Sequence, residues 1–218
     1  MKFTLVYEGP LPSNARPKMK WAIRKYLSPQ LEELWQIHPS LSDAQRRRFI
    51  PRDQPFSFGD IHHDSDDQRR FTQVGSDSDV DLCAEIERGG RNYWPLVRNT
   101  FALKCYLGIT FMRREDPGKV VKGGDKGVDL DNRLKTLFDA LGIPDANQVA
   151  KDMSIKDTSI KDPIYCLLED DALIMGCNVQ THRLLARTGG DIDDVLLLIE
   201  VDVRVVRPRG YNLTFLGD

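Results

Sequence analysis

The strongest periodic signal in the chain is a stripe of apolar residues, Leu130, Leu134, Leu137, Phe138 and Leu141, spaced three and four apart and followed by Gly142. That spacing predicts an amphipathic helix over residues 130–141 with a glycine stop. Period-two alternation predicts strands elsewhere. Asn99–Arg113 places Phe101, Leu103, Cys105, Leu107 and Ile109 on one side. In Val195–Val206, Leu197, Ile199, Val201, Val203 and Val205 face the core, while Leu196, Leu198, Glu200, Asp202 and Arg204 face away. Phe3–Glu8 reads as a first strand, followed by a turn over Gly9–Asn14, and Ala172–Ala186 as a further strand. Lys18–Leu27 and Pro29–Ile37 read as two helices divided at Ser28-Pro29, a cap followed by a first-turn proline, with Trp21, Ile23, Leu31, Leu34 and Trp35 as core residues.

Two stretches interrupt the pattern. Residues 51–89 have no clear period and are rich in Asp, Ser and Gln, and residues 143–166 carry only a short recurrence, Ser154-Ile-Lys-Asp157 echoed at Ser159-Ile-Lys-Asp162. The order of elements predicts a single α+β domain, with a mixed or mostly antiparallel sheet, helices packed on one face, and insertions at residues 41–98 and 143–166.

Composition narrows the class. With 218 residues, 40% apolar and 29% charged, the chain is expected to be globular, neither fibrous nor mainly disordered. No signal-peptide pattern and no apolar run near the roughly 20 residues of a membrane span is apparent, so the cytoplasm is the expected compartment. Cys83, Cys105, Cys166 and Cys177 lack zinc or redox spacing. Cys105, Cys166 and Cys177 read as small buried hydrophobes. His62 and His63, beside Asp60, Asp64, Asp66 and Asp67, read as a polar loop rather than a metal site.

The helix over 130–141 also carries chemistry. Asp129 and Asp131 are two apart, and Asn132, Lys135 and Asp139 follow on its polar face. A helix cap explains one aspartate. A solvated face with an Asp131/Lys135 pair is the simplest account of the rest on spacing alone. A second acidic cluster, Glu169-Asp170-Asp171 within Leu167–Ile174, sits where an apolar strand is expected to begin. With these two motifs, Asp129-Leu-Asp-Asn-x-x-Lys-x-x-x-Asp-Ala-Leu141 and Asp170-Asp-Ala172, the chain resembles the RusA family of Holliday-junction resolvases. Gly9-Pro-Leu-Pro-Ser-Asn14 is similar to that family's N-terminal turn, and the resemblance covers Phe3–Asn14 and Phe101–Val206.

The resemblance implies a homodimeric, Mg²⁺-dependent endonuclease, with Mn²⁺ as an alternative metal, acting on branched DNA in recombination and repair. It implies that Asp129, Asp131 and Asp171 bind the metal, that Lys135 is catalytic, and that Asn132, Asp139 and Asp170 support them. Mg²⁺ suits such a set because it takes hard oxygen ligands and keeps several waters. Where the family has a run of arginines before the first aspartate, this chain has Gly123-Gly-Asp-Lys-Gly-Val128. Thirty-one Lys plus Arg against 33 Asp plus Glu leave a net charge of −2, so DNA binding needs a segregated basic face. Arg113, Arg114, Lys119, Lys122 and Lys126 are candidates, as are Arg46, Arg47 and Arg48 around a short helix, and Lys18, Lys20, Arg24 and Lys25 on another. A non-catalytic DNA-binding or scaffold protein of the same fold, and a nuclease for another branched or RNA substrate, remain open alternatives.

Overall fold

The computed structural model describes residues 1–44, 49–50, 80–114, 116–117, 130–145, 149, 162–185, 194–208 and 210–216. Two alternating segments form its centre. Strands β6 (Leu103–Arg113) and β9 (Asp194–Val205) pair antiparallel from Leu103↔Val205 to Met112↔Leu196. β1 (Lys2–Pro10) adds antiparallel to β9, and β8 (Ile174–Arg183) adds parallel to β6, giving the order β1-β9-β6-β8. Register follows the apolar pattern: Leu5, Tyr7, Leu103, Cys105, Leu107, Ile109, Phe111, Val195, Leu197, Ile199, Val201 and Val203 are all buried on one face. That is the core face expected for β6 and β9.

Helices α1 (Pro17–Ile37) and α3 (Leu130–Leu141) cover this face, with a short α2 (Pro39–Ala44) between them in sequence. Ile23, Leu27, Leu31 and Trp35 from α1 and Leu137 and Leu141 from α3 enter the same core cluster as the sheet residues. A further small sheet, β4 (Ile86–Arg88), β5 (Arg91–Val97) and β7 (Ile164–Leu168), pairs β4 antiparallel and β7 parallel to β5. Trp21, Tyr93, Ile143, Ile164 and Cys166 form a second apolar cluster beside it. β2 (Phe49–Ile50) and β3 (Val80–Asp81) make a two-residue ladder. The result is a mixed α+β fold in one compact domain, and no described helix is long and apolar enough to cross a membrane.

Several expectations are corrected. The division at Ser28-Pro29 does not occur, because α1 runs through Pro29. Ser28 is buried, and its hydroxyl accepts the Tyr165 N–H at 3.0 Å instead of capping a new helix. The stripe Trp21, Leu27, Leu31 and Trp35 is buried on both sides of the proline. Continuous packing therefore outweighs the one helical bond that proline removes. The expected insertions also contribute core: Leu82, Cys83, Ala84, Tyr93, Leu96 and Val97 are buried within 41–98, and Ile164, Tyr165 and Cys166 within 143–166. β7, buried at every position, precedes the acidic cluster; β8 begins only at Ile174, after a 3-10 turn at Asp171–Leu173. Cys177 is exposed rather than buried, because it lies on edge strand β8, while Cys83 is buried; all four cysteines are free.

Candidate functional site

Helix α3 is fastened by its own polar residues. Arg133 and Thr136 are buried. Arg133 Nη1 donates to the Leu11 carbonyl, and Thr136 Oγ1 accepts the Ala15 N–H at 3.2 Å. These bonds draw the Gly9–Asn14 turn onto α3, where Asn14 adopts a left-handed φ of 51°. Two motifs that lie more than a hundred residues apart in sequence thus meet through one helix face. The opposite face presents Asp131 and Lys135, both exposed, with Asn132 and Asp139 half-buried.

The C-terminal end of α3 is held by α1. Lys20 Nζ contacts Asp139 Oδ2 at 2.5 Å. Arg24, buried, donates from Nη2 to the Asp139 carbonyl at 2.8 Å and from Nε to the Gly142 carbonyl at 2.9 Å. Cations at a helix C-terminus satisfy orphan carbonyls and oppose the helix dipole. Lys20 and Arg24 were candidates for a DNA-facing surface; the structure turns both inward, so they are not free phosphate contacts.

The acidic turn lies close by. Glu169 N donates to the Val97 carbonyl at 3.0 Å, and Glu169 Oε2 accepts the Asn99 N–H at 2.9 Å, latching the turn to the end of β5. Asp170 caps the 3-10 turn by accepting the Ala172 N–H at 2.8 Å. Partial burial pushes the Asp171 carboxyl up from its ordinary value, and Asp170 and then Asp139 add to the rise, against a smaller pull from the Ala172 amide. Asp139 therefore links the helix motif and the acidic turn electrostatically. Among the described residues, Asp139 is the α3 carboxylate whose charge adds to this rise.

Other sequence candidates are placed unevenly. Asp129, Lys119, Lys122, Lys126, Arg46, Arg47, Arg48, His62 and His63 lie outside the described residues. Arg113, the last residue of β6, is 4% exposed and so is not a surface phosphate contact. Arg114 is exposed and lines a small cavity with Glu8, Tyr26 and Asp194, an acidic rather than open setting. Among the described residues no group of three or more His, Cys, Asp and Glu side chains is placed to hold a metal ion.

Sequence reasoning missed three participants. Lys20 gave only the signal of a surface cation, since its partner lies 119 residues away. Glu169 was visible as part of an acidic run but not as a latch. Arg98 gave no signal: it is buried, its Nε and Nη1 have no hydrogen-bond partner, and its guanidinium sits 5.5 Å from the Phe101 ring. Burial lowers its pKa from the ordinary value, against the pull of Glu169, Cys83 and Asp81.

In comparisons with known proteins, no family model matches the chain, and neither a curated protein nor a solved structure matches it at a significant level.

Proposed function

We propose that the chain is a divalent-metal-dependent endonuclease of RusA-like character that hydrolyses phosphodiesters in branched DNA, working as a homodimer in the cytoplasm. The observation that carries this reading is the nearness of the acidic turn to α3, close enough that the Asp139 charge adds, after burial and Asp170, to the rise in the Asp171 pKa. A hard cation relieves that repulsion, and oxygen-only donors are the chemistry that Mg²⁺ or Mn²⁺ takes. Asp171 and Asp131, with Asp129, are the residues that would hold the metal, and Asp170 and Asn132 would orient them. The metal, when bound, supplies a water of lowered pKa and polarises a phosphoryl oxygen.

The chain's own groups do the rest. Lys135 is exposed one helical turn from Asp131 and offers positive charge where a phosphate would carry growing negative charge. Lys20 engages Asp139 and so restrains that carboxylate, leaving Asp171 the less neutralised of the two. Glu169 holds the turn to the end of β5 through its amide and its Oε2.

A second reading has its own support. The net charge of −2, with the candidate cations Arg24 and Arg113 buried, withdraws part of the basic face that a nucleic acid would need, and this favours a non-catalytic scaffold of the same fold. A nuclease for flaps or RNA shares every feature of the leading reading, because the acids read a phosphate and not its branch. The test is Mg²⁺-dependent nicking of a synthetic four-way junction, with linear duplex and flap substrates alongside, by the wild type and Asp171→Asn. Paired nicks on the junction, lost in the variant, support the proposal. Junction binding without nicking supports the scaffold, and preference for the flap supports the other nuclease.

A further inference from the structure

The two edges of the four-stranded sheet are treated differently. On β1, the outward-facing N–H and C=O of Val6 are both taken by one side chain: Val6 N donates to Gln30 Oε1 at 2.9 Å, and Gln30 Nε2 donates to the Val6 carbonyl at 2.7 Å. The strand then ends at Gly9-Pro10, where proline offers no N–H. Lys2 and Glu8 add charge along it. These are the devices by which sheet edges resist pairing with another chain.

β8 has none of them. It runs for 10 residues, Ile174–Arg183, with β6 as its only ladder partner among the described residues. It contains no proline, and its one residue with a full charge, Arg183, stands at the last position, engaged with Asp116 at 3.3 Å. Six of its side chains are exposed, including Met175, Cys177 and Asn178. No described group bonds its outer backbone edge. Beyond a register shift at Met175, the row of outward N–H and C=O groups is regular from Gly176 to Arg183, and such a row is matched by one kind of partner, another extended chain.

We propose that β8 pairs with β8 of a second copy, antiparallel across a two-fold axis, to make one continuous eight-stranded sheet. A second copy fits because the strand is self-complementary. Two-fold antiparallel pairing sends the two Arg183 side chains to opposite ends of the interface, so no like charges face each other. A nucleic acid would require cations that this edge lacks. Alternate residues of Gly176–Arg183 on both strands together supply roughly eight main-chain hydrogen bonds. The interface deepens the paired-site reading above and rests on it only for its purpose: the acidic turns, which directly precede β8, would then lie at opposite ends of the shared strands.

Sedimentation of the full chain across micromolar to submillimolar concentration tests this, together with the variant Asn178→Lys/Gln180→Lys. Thr4→Lys, on exposed β1 surface, is the control. The expected result is a dimeric wild type and control, and a dissociation constant raised at least tenfold in the double variant with unchanged circular dichroism. A wild type that stays monomeric, or a double variant as dimeric as the wild type, overturns the proposal. Should the double variant fail to fold, hydrogen exchange of the wild type decides. Protection that rises with concentration in β8 but not β1 supports the interface, and no such rise refutes it. Nicking measured in parallel separates the two ideas. A monomer that nicks the junction overturns this interface and leaves the nuclease, whereas a β8-dependent dimer that never nicks does the reverse.

Discussion

Helix α3 has two polar faces that look equivalent in sequence and are opposite in kind. Arg133 and Thr136 face inward, buried and bonded to the Leu11 carbonyl and the Ala15 amide. Asp131 and Lys135, two residues before and two after Arg133, stand exposed. Buried polar groups must be satisfied, so the inner face is bound to serve structure. The outer face has no such obligation and is available for chemistry. Polarity alone does not mark a functional residue; polarity that the fold leaves unused does.

The widest effects are expected from Asp171→Asn in the acidic turn and Lys135→Ala on the outer face of α3. The first is expected to abolish junction nicking, and the second to lower it by on the order of a hundredfold, the scale of losing one well-placed charge stabiliser. Both are expected to leave the unfolding free energy, read by urea denaturation, within about 0.5 kcal/mol of the wild type, as for other surface substitutions. Loss of folding in either would place it on the structural side. On the inner face, Arg133→Met is expected to cost about 2–3 kcal/mol in denaturant unfolding, because it strands the Leu11 carbonyl and removes a charged donor. Thr136→Ala is expected to cost about 1 kcal/mol by the same assay. A stability-neutral Arg133→Met would break the comparison.

The smallest effect concerns pH. The folded pKa of Asp171 is raised above the unfolded value of 3.8, so ionisation disfavours the folded state. That cost is present in full above the folded pKa and fades as pH falls through it toward 3.8. Asp171→Asn is therefore expected to be slightly more stable than the wild type at neutral pH, with the gap closing on acidification. Thermal unfolding at a series of pH values reads this directly, and a gap that widens in acid would contradict it.

How much of this was legible follows from the range of each cause. α3, β6 and β9 were readable because burial of one side imposes a period that the sequence displays locally. β5 and β7 were not: β7 is buried at every position and has no alternation, and β5 loses its alternation from Pro95 onward. The continuity of α1 was hidden because Pro29 is a local signal, while the contact that overrides it, Ser28 to Tyr165, spans 137 residues. At the candidate site, the acids on α3 and in the Glu169–Asp171 turn were identified as two motifs. The inward turn of Lys20, Arg24 and Arg113 was invisible, because a cation paired across the fold and one facing water look alike in one dimension.

Gln30 carries a consequence for the size of any assembly. A sheet with two open edges can add copies at both ends without limit, and an open-ended chain of sheets is a fibre. With β1 stoppered by Gln30 and ended by Pro10, and β8 open among the described residues, each copy has a valence of one, and growth ends at a pair. Gln30→Ala would free the Val6 amide and carbonyl and so weaken that stopper, turning a question of stability into one of polymer length, visible as light scattering that rises with time and concentration.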